Sequence, residues 1–156
     1  MNVIRRTVLK SAGAMGVLAG LFVTGILKPT LAYASEWNKA AFGAKDMETA
    51  LKAIGADGAV DSKQLILRVP EIAENSAMVP VDVTSNIPNT TSIAILVMKN
   101  PIPLSAQFEF SGGAMAEVSV RVKLAQISII RVVAKADGKF YSTQKEVKVA
   151  DGGCGH

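Results

Sequence analysis

Residues 118–124 read Val-Ser-Val-Arg-Val-Lys-Leu, so that apolar and polar side chains alternate throughout the segment. Successive side chains of a β-strand point to opposite faces, and this segment therefore predicts a strand with one face on a core and one in water. Residues 64–70 and 79–84 show the same alternation, whereas residues 93–98 form a continuous apolar run. Such a run is typical of a central strand that is buried on both faces.

Turn signals separate the predicted strands. Asp137-Gly138 lies between two further strand segments, residues 129–134 and 139–149, and an Asp-Gly pair favours the two-residue turn of a β-hairpin. Other turns are predicted at Asn86-Ile87-Pro88-Asn89, at Asn100-Pro101 and at Ser111-Gly112-Gly113. About seven short strands with turns at this spacing predict a mainly β fold, an immunoglobulin-like antiparallel β-sandwich.

One or two short helices are predicted before the strands. Ser35 is a candidate N-cap for a helix that begins at Glu36. A second helical segment, residues 45–54, has one apolar face and is expected to end at Gly55. That apolar face consists of Met47, Leu51 and Ile54.

Residues 1–34 have the features of an export signal. Residues 5–10, Arg-Arg-Thr-Val-Leu-Lys, form a twin-arginine motif, a glycine-interrupted apolar stretch follows over residues 12–27, and Ala32-Tyr33-Ala34 is an A-x-A cleavage pattern. We expect cleavage after Ala34 and a periplasmic location without stable membrane association. An uncleaved membrane anchor is the alternative, but the stretch is shorter than the ~20 residues that a spanning helix needs.

The positive charge of the chain belongs to this export signal. The sequence has 17 basic and 13 acidic residues, a net charge of +4 at pH 7. Four of the basic residues and none of the acidic ones lie within residues 1–34, so the remaining chain is close to neutral. It therefore has no excess of basic residues that would support nucleic-acid binding.

The sequence lacks the residues that most enzyme mechanisms require. Its one histidine is His156 and its one cysteine is Cys154. A Ser-His-Asp triad, a histidine-rich metal site and a paired-cysteine redox motif are therefore excluded. The methionines outside the export signal are dispersed and are interpreted as packing residues. We predict a protein without catalytic residues, metal ligands or a cofactor.

Residues 150–156, Ala-Asp-Gly-Gly-Cys-Gly-His, follow the last predicted strand. Gly152, Gly153 and Gly155 flank Cys154 and provide no side chains that could bury its thiol, which predicts a flexible C-terminal arm. Such an arm would carry the sulfur on the order of 15 Å beyond the sheet. A thiol presented in this way is suited to entering narrow active sites of other proteins. The plainer alternative is an incidental cysteine on a frayed end.

A glycine-flanked cysteine after a valine-rich last strand, in a chain with a twin-arginine signal, resembles SoxY, the sulfur-compound carrier of the Sox thiosulfate-oxidation system. The resemblance extends over the whole predicted mature region, residues 35–156. It includes Ile72-Ala73-Glu74-Asn75, Val79-Pro80-Val81, the aliphatic residues 93–97, Pro103 with Phe108, and Asp137-Gly138-Lys139. The family tail commonly ends in a second glycine, where this sequence has His156, and no role is assigned to that side chain.

The resemblance implies a non-catalytic carrier within a multi-enzyme pathway. It implies a heterodimer with a SoxZ-like small β-sandwich subunit. It also implies that SoxAX conjugates thiosulfate to Cys154, that SoxB hydrolyses the terminal sulfone group, and that SoxCD, where present, oxidises the remaining sulfur. Gly152, Gly153 and Gly155 would give Cys154 the reach to enter each enzyme.

A second hypothesis stays open from the sequence: a structural or interaction module that uses Cys154 for an intermolecular disulfide. Such a disulfide would also form as a side reaction of a carrier, so its detection does not separate the two hypotheses. A gain of thiosulfate-derived mass on Cys154 does separate them.

Overall fold

The computed structural model describes residues 38–150, which form two helices and nine strands. The helices are α1 (Lys39–Gly43) and α2 (Met47–Ala53). The strands are β1 (Val60–Asp61), β2 (Leu65–Arg68), β3 (Ile72–Ala73), β4 (Val79–Ser85), β5 (Thr90–Val97), β6 (Leu104–Glu109), β7 (Glu117–Val122), β8 (Ser128–Ala136) and β9 (Lys139–Val149). The predicted export signal and its cleavage after Ala34 lie outside the described residues.

The strands form two sheets that pack face to face. The larger sheet has the order β1-β9-β8-β5-β6, with β3 also paired to β9, and the smaller sheet has the order β2-β4-β7. Apolar side chains from the facing sides of both sheets form one buried cluster between them. This arrangement confirms the predicted mainly β sandwich.

The burial of β4 and β5 follows the two sequence patterns that predicted them. In β4, buried Val79, Val81 and Val83 alternate with more exposed residues. In β5, Ile95 packs between the sheets, whereas Leu96 packs into a second cluster on the outer face of the larger sheet. The two helices cover that outer face, which explains why a central strand with both faces buried has a continuous apolar sequence.

Side-chain caps define where the two helices begin. The Asn38 side chain accepts a hydrogen bond from the Ala41 N–H at 3.0 Å, and α1 begins at Lys39, three residues later than the predicted start. The predicted cap Ser35 and start Glu36 lie outside the described residues. The second helix begins after Asp46 and is followed by Gly55 at φ +74°, which confirms the predicted stop.

The hairpin between β8 and β9 is confirmed. Asp137 and Gly138 both have positive φ, 48° and 74°, as the two-residue turn requires. The strands stay in register from the pair Ala136–Lys139 to the pair Ser128–Val147.

Two short strands were not predicted and are parallel to their neighbour. β1 and β3 have two residues each, and both pair with β9. The predicted antiparallel sandwich therefore has two short parallel pairings added at this one edge. A two-residue strand is held through its backbone and has no side-chain alternation for a sequence pattern to show.

Candidate functional site

The predicted carrier arm, residues 150–156, begins at Ala150, the last described residue. Cys154 and its neighbours Gly152, Gly153 and Gly155 lie outside the described residues. The structure shows the part of the fold from which these residues follow.

The root of the arm is held by β3. The Lys148 N–H donates to the Glu71 carbonyl at 2.9 Å, and the Ala150 N–H donates to the Ala73 carbonyl at 3.0 Å. Ala73 is buried, as is Val147 on β9. The backbone is therefore fixed as far as Ala150. Sequence reasoning missed this clamp because the hydrogen bonds are made by main-chain atoms.

A hydrogen-bond relay holds β1 against the first half of β9. The Arg131 side chain donates to the Ser142 hydroxyl at 3.2 Å, and that hydroxyl donates to the Asp61 carboxylate at 2.8 Å. Ser142 is fully buried, so these partners satisfy a hydroxyl that would otherwise be costly to bury. The relay has a structural role, and it lies away from the arm root.

Six of the longer strands meet at the end of the sandwich where β9 ends. In the larger sheet, the pairings place the start of β8, the end of β5 and the start of β6 beside the end of β9. In the smaller sheet, the start of β4 pairs with the end of β7 at this same end of the sandwich. We call this the arm end. The Asn100 side chain joins the two sheets there, since it donates to the Lys123 carbonyl at 2.7 Å and accepts from the Ala125 N–H at 2.9 Å.

The opposite end of the sandwich has an open depression of about 570 Å³. It is lined by the β4–β5 and β6–β7 connections, and none of its lining residues is charged. The depression therefore offers hydrogen-bonding and apolar contacts, and its serine and threonine hydroxyls have no acidic or basic side chain beside them in the lining that could activate them for catalysis.

Within residues 38–150, the titratable groups with shifted pKa values belong to helix α2 and its N-cap. The backbone N–H of Thr49, followed by its hydroxyl, lowers the pKa of Asp46 by hydrogen bonding to the carboxylate. A hydrogen bond to the Glu48 carboxylate, 2.7 Å away, raises the pKa of Lys52. Both shifts reflect helix capping and an i,i+4 ion pair on an exposed surface, not a reactive site.

Residues 38–150 contain no cluster of three or more His, Cys, Asp or Glu side chains that could hold a metal ion. None of the helices in this range is long and apolar enough to cross a membrane.

Comparison with known proteins identifies the family. The family model described as sulfur oxidation protein SoxY matches residues 50–154, a range that ends at Cys154. The solved structure of the sulfur carrier protein SoxY from Chlorobium limicola f thiosulfatophilum is 36% identical, covers 73% of this chain and 100% of that chain, and superposes with a TM-score of 0.62. No curated protein matches the sequence. The resemblance predicted from the sequence is confirmed, and the chain belongs to the SoxY family of sulfur oxidation proteins.

Proposed function

We propose that the chain is a periplasmic sulfur carrier that binds thiosulfate-derived sulfur covalently through Cys154 and presents it to the Sox enzymes. The observation that carries this proposal is a family match that extends through the sandwich to Cys154. The similarity to a protein named as a sulfur carrier supports it. The carrier itself is non-catalytic, since the chemistry is done by the enzymes that receive its thiol.

The sulfur chemistry can be written with Cys154 as the attachment point. Oxidative conjugation joins the Cys154 sulfur to the outer sulfur of thiosulfate, releases the thiol proton and delivers two electrons to the cytochrome enzyme SoxAX. Hydrolysis by SoxB then breaks the sulfur–sulfone bond with one water molecule, releasing sulfate and leaving a persulfide on Cys154. SoxCD, where present, oxidises the persulfide sulfur further.

The arm and its root have distinct roles in this proposal. Gly152, Gly153 and Gly155 leave the backbone around Cys154 free of side chains that would block a narrow channel. The clamp from β3 fixes the point from which the arm departs. Each enzyme therefore meets Cys154 at a limited distance from one defined place on the sandwich.

We propose that the chain has three parts with different functions. Residues 1–34 form a twin-arginine signal that is cleaved after Ala34, residues 35–149 form the sandwich domain, and residues 150–156 form the carrier arm. The domain forms a heterodimer with a SoxZ-like small β-sandwich subunit, and its contacts with SoxAX, SoxB and SoxCD are transient. Export of an already folded protein fits a carrier that is assembled with its partner before transit.

Intact-mass analysis tests the proposal. The exported protein, with its co-purifying small subunit, is incubated with thiosulfate and SoxAX, and a C154S variant is treated in parallel. The carrier should gain one thiosulfate-derived group, lose sulfate from it after SoxB is added, and show neither change in the variant. If the wild-type protein forms disulfide-linked dimers but gains no thiosulfate-derived mass, the interaction-module hypothesis is favoured instead.

A further inference from the structure

Large apolar side chains are exposed at the arm end. They are Ile72 (58% exposed), Met78 (55%), Ile127 (51%), Ile102 (43%) and Met98 (37%). Ile72 lies on β3, which clamps the arm root, and the other four lie in the β3–β4, β5–β6 and β7–β8 connections. We call these five residues the arm-end surface.

The pairing of the strands brings these residues to one end. Ile127 precedes Ser128, which pairs with Val147 on β9, and Met98 follows the last residue of β5. Met78 precedes the first residue of β4, and the neighbouring Leu124 and Ser76 are joined by a backbone hydrogen bond of 2.8 Å. The connections that carry the exposed apolar side chains therefore surround the point where β9 ends.

The chemistry of this end favours a protein partner. Soluble proteins rarely leave large apolar side chains grouped on the surface unless they bind something there. Charged residues of both signs lie near the arm-end surface in the sequence. Glu74 is two residues after Ile72, Lys99 follows Met98, and Lys123 lies in the β7–β8 connection that also carries Ile127. An apolar centre with a mixed-charge rim is typical of protein–protein interfaces, whereas an anionic membrane or a nucleic acid would favour basic residues throughout.

The length of the chain beyond Ala150 identifies the occupant. Cys154 is four residues past Ala150, so its backbone can extend at most about 14 Å from the clamped root. An active site that encloses Cys154 within that distance brings the surrounding protein surface against the end of the sandwich. A partner bound at the opposite end, near the uncharged depression, would be out of reach of the thiol.

We infer that the arm-end surface is the docking site for the enzymes whose active sites receive Cys154. This inference rests on the proposed carrier function. Docking through the arm-end surface holds the entrance of the active site beside the arm root, so that insertion of Cys154 becomes an intramolecular step at high effective concentration. The apolar contacts then set the affinity for the carrier, while Cys154 provides the reacting atom.

Charge substitutions at the two ends provide a matched test. M78E and I127E place a carboxylate on the arm-end surface, and M115E places one on a methionine that is 74% exposed in the β6–β7 connection, at the opposite end. I102E is a second arm-end variant in a different connection. Each is made in the full chain with its small subunit, and SoxAX turnover with thiosulfate and an excess of an electron acceptor is measured over a range of carrier concentrations.

M78E, I127E and I102E should each raise the KM for the carrier by at least tenfold and leave kcat nearly unchanged. M115E should leave both constants within about twofold of wild type, because Met115 lies outside the proposed interface and residues away from its centre contribute little to binding. The rate of Cys154 alkylation by iodoacetamide should be equal in all variants, since docking does not change the intrinsic reactivity of the thiol. Circular dichroism melts establish that every variant is folded.

The outcomes separate the docking site from the carrier function. Normal turnover by wild type together with an unchanged KM in all three arm-end variants would overturn the docking site and leave the carrier function standing. Loss of the small subunit from the arm-end variants on gel filtration would also overturn it, because the surface would then be the subunit interface. A wild-type protein that gains no sulfur on Cys154 would overturn both proposals.

Discussion

Replacement of Ala150 by proline tests whether β3 fixes the root of the carrier arm. Proline has no N–H, so A150P removes the donor that bonds the Ala73 carbonyl at 3.0 Å. The substitution is otherwise compatible with the backbone, because Val149 is the last residue of β9 and an extended conformation is what proline favours in the residue before it. The hydrogen bond from Lys148 to Glu71 keeps its donor and its acceptor.

The expected effect follows from the value of one backbone hydrogen bond. A net contribution of about 0.5–1.5 kcal/mol, divided by an RT of about 0.59 kcal/mol, corresponds to an increase of about 2- to 13-fold in the population in which β3 and β9 are separated. The effect should be local, since the long β8–β9 ladder and the buried Val147 do not depend on this bond. The midpoint of global unfolding should therefore change little.

Amide hydrogen exchange of Lys148, followed by NMR, measures this opening. A150S is the matched control, because serine keeps the N–H and is also small. Lys148 should exchange about 2- to 13-fold faster in A150P than in A150S. Equal exchange in the two variants would show that the bond to Ala73 does not hold the arm root, and the reach from Ala150 would then have to be counted from an earlier residue of β9.

Two further predictions concern the stability of the domain. I95A removes a fully buried side chain from the central strand β5 and should lower the free energy of unfolding, measured by urea titration, by about 2–5 kcal/mol. The control V60A changes a residue that is 64% exposed and should lower this free energy by less than about 0.5 kcal/mol. Similar losses in the two variants would contradict the assigned core. The Thr49 N–H lowers the pKa of Asp46, so the Asp46 carboxylate binds a proton more weakly in the folded state than in the unfolded state. The stabilisation from this cap is therefore present above the unfolded-state pKa and is lost as the pH falls through the folded-state pKa. The Tm difference between wild type and D46A should therefore be constant near neutral pH and shrink below about pH 4, and a difference that persists in acid would rule out the carboxylate as the cap.

Strands with a strong side-chain pattern could be predicted from the sequence. The alternation over residues 79–84 gave β4 to within a residue, and the Asp137-Gly138 turn gave the hairpin and the start of β9. In each case a local signal agreed with the tertiary contacts, because one face of the strand packs on the core and the turn geometry demands positive φ. The fold class followed from these elements.

Two kinds of feature could not be predicted: short strands held by backbone pairing, and a helix start for which the sequence offers two suitable N-cap residues. β3 is two residues long and depends on β9, more than seventy residues later in the chain, for its hydrogen bonds. Ser35 and Asn38 are both good N-cap residues, and their positions alone do not show that the Asn38 side chain caps a helix beginning at Lys39. No residue range was predicted for β6. It is an edge strand whose middle residues are only partly buried, so its sequence has no clear alternation of apolar and polar residues.

The arm-end surface illustrates the same limit for function. Ile72, Met78, Met98, Ile102 and Ile127 are scattered in the sequence, and each of them read singly is an ordinary exposed apolar residue. Antiparallel pairing carries β9 along the sandwich from its hairpin to the arm root and returns three connections, β3–β4, β5–β6 and β7–β8, to that same end. The topology therefore couples two properties that the sequence presents separately: the place where the thiol-bearing segment departs and the place where apolar contacts are available. The proposed recognition of the carrier by several enzymes through one short arm requires that coupling, since a surface elsewhere on the sandwich would bind a partner without bringing its active site within reach of Cys154.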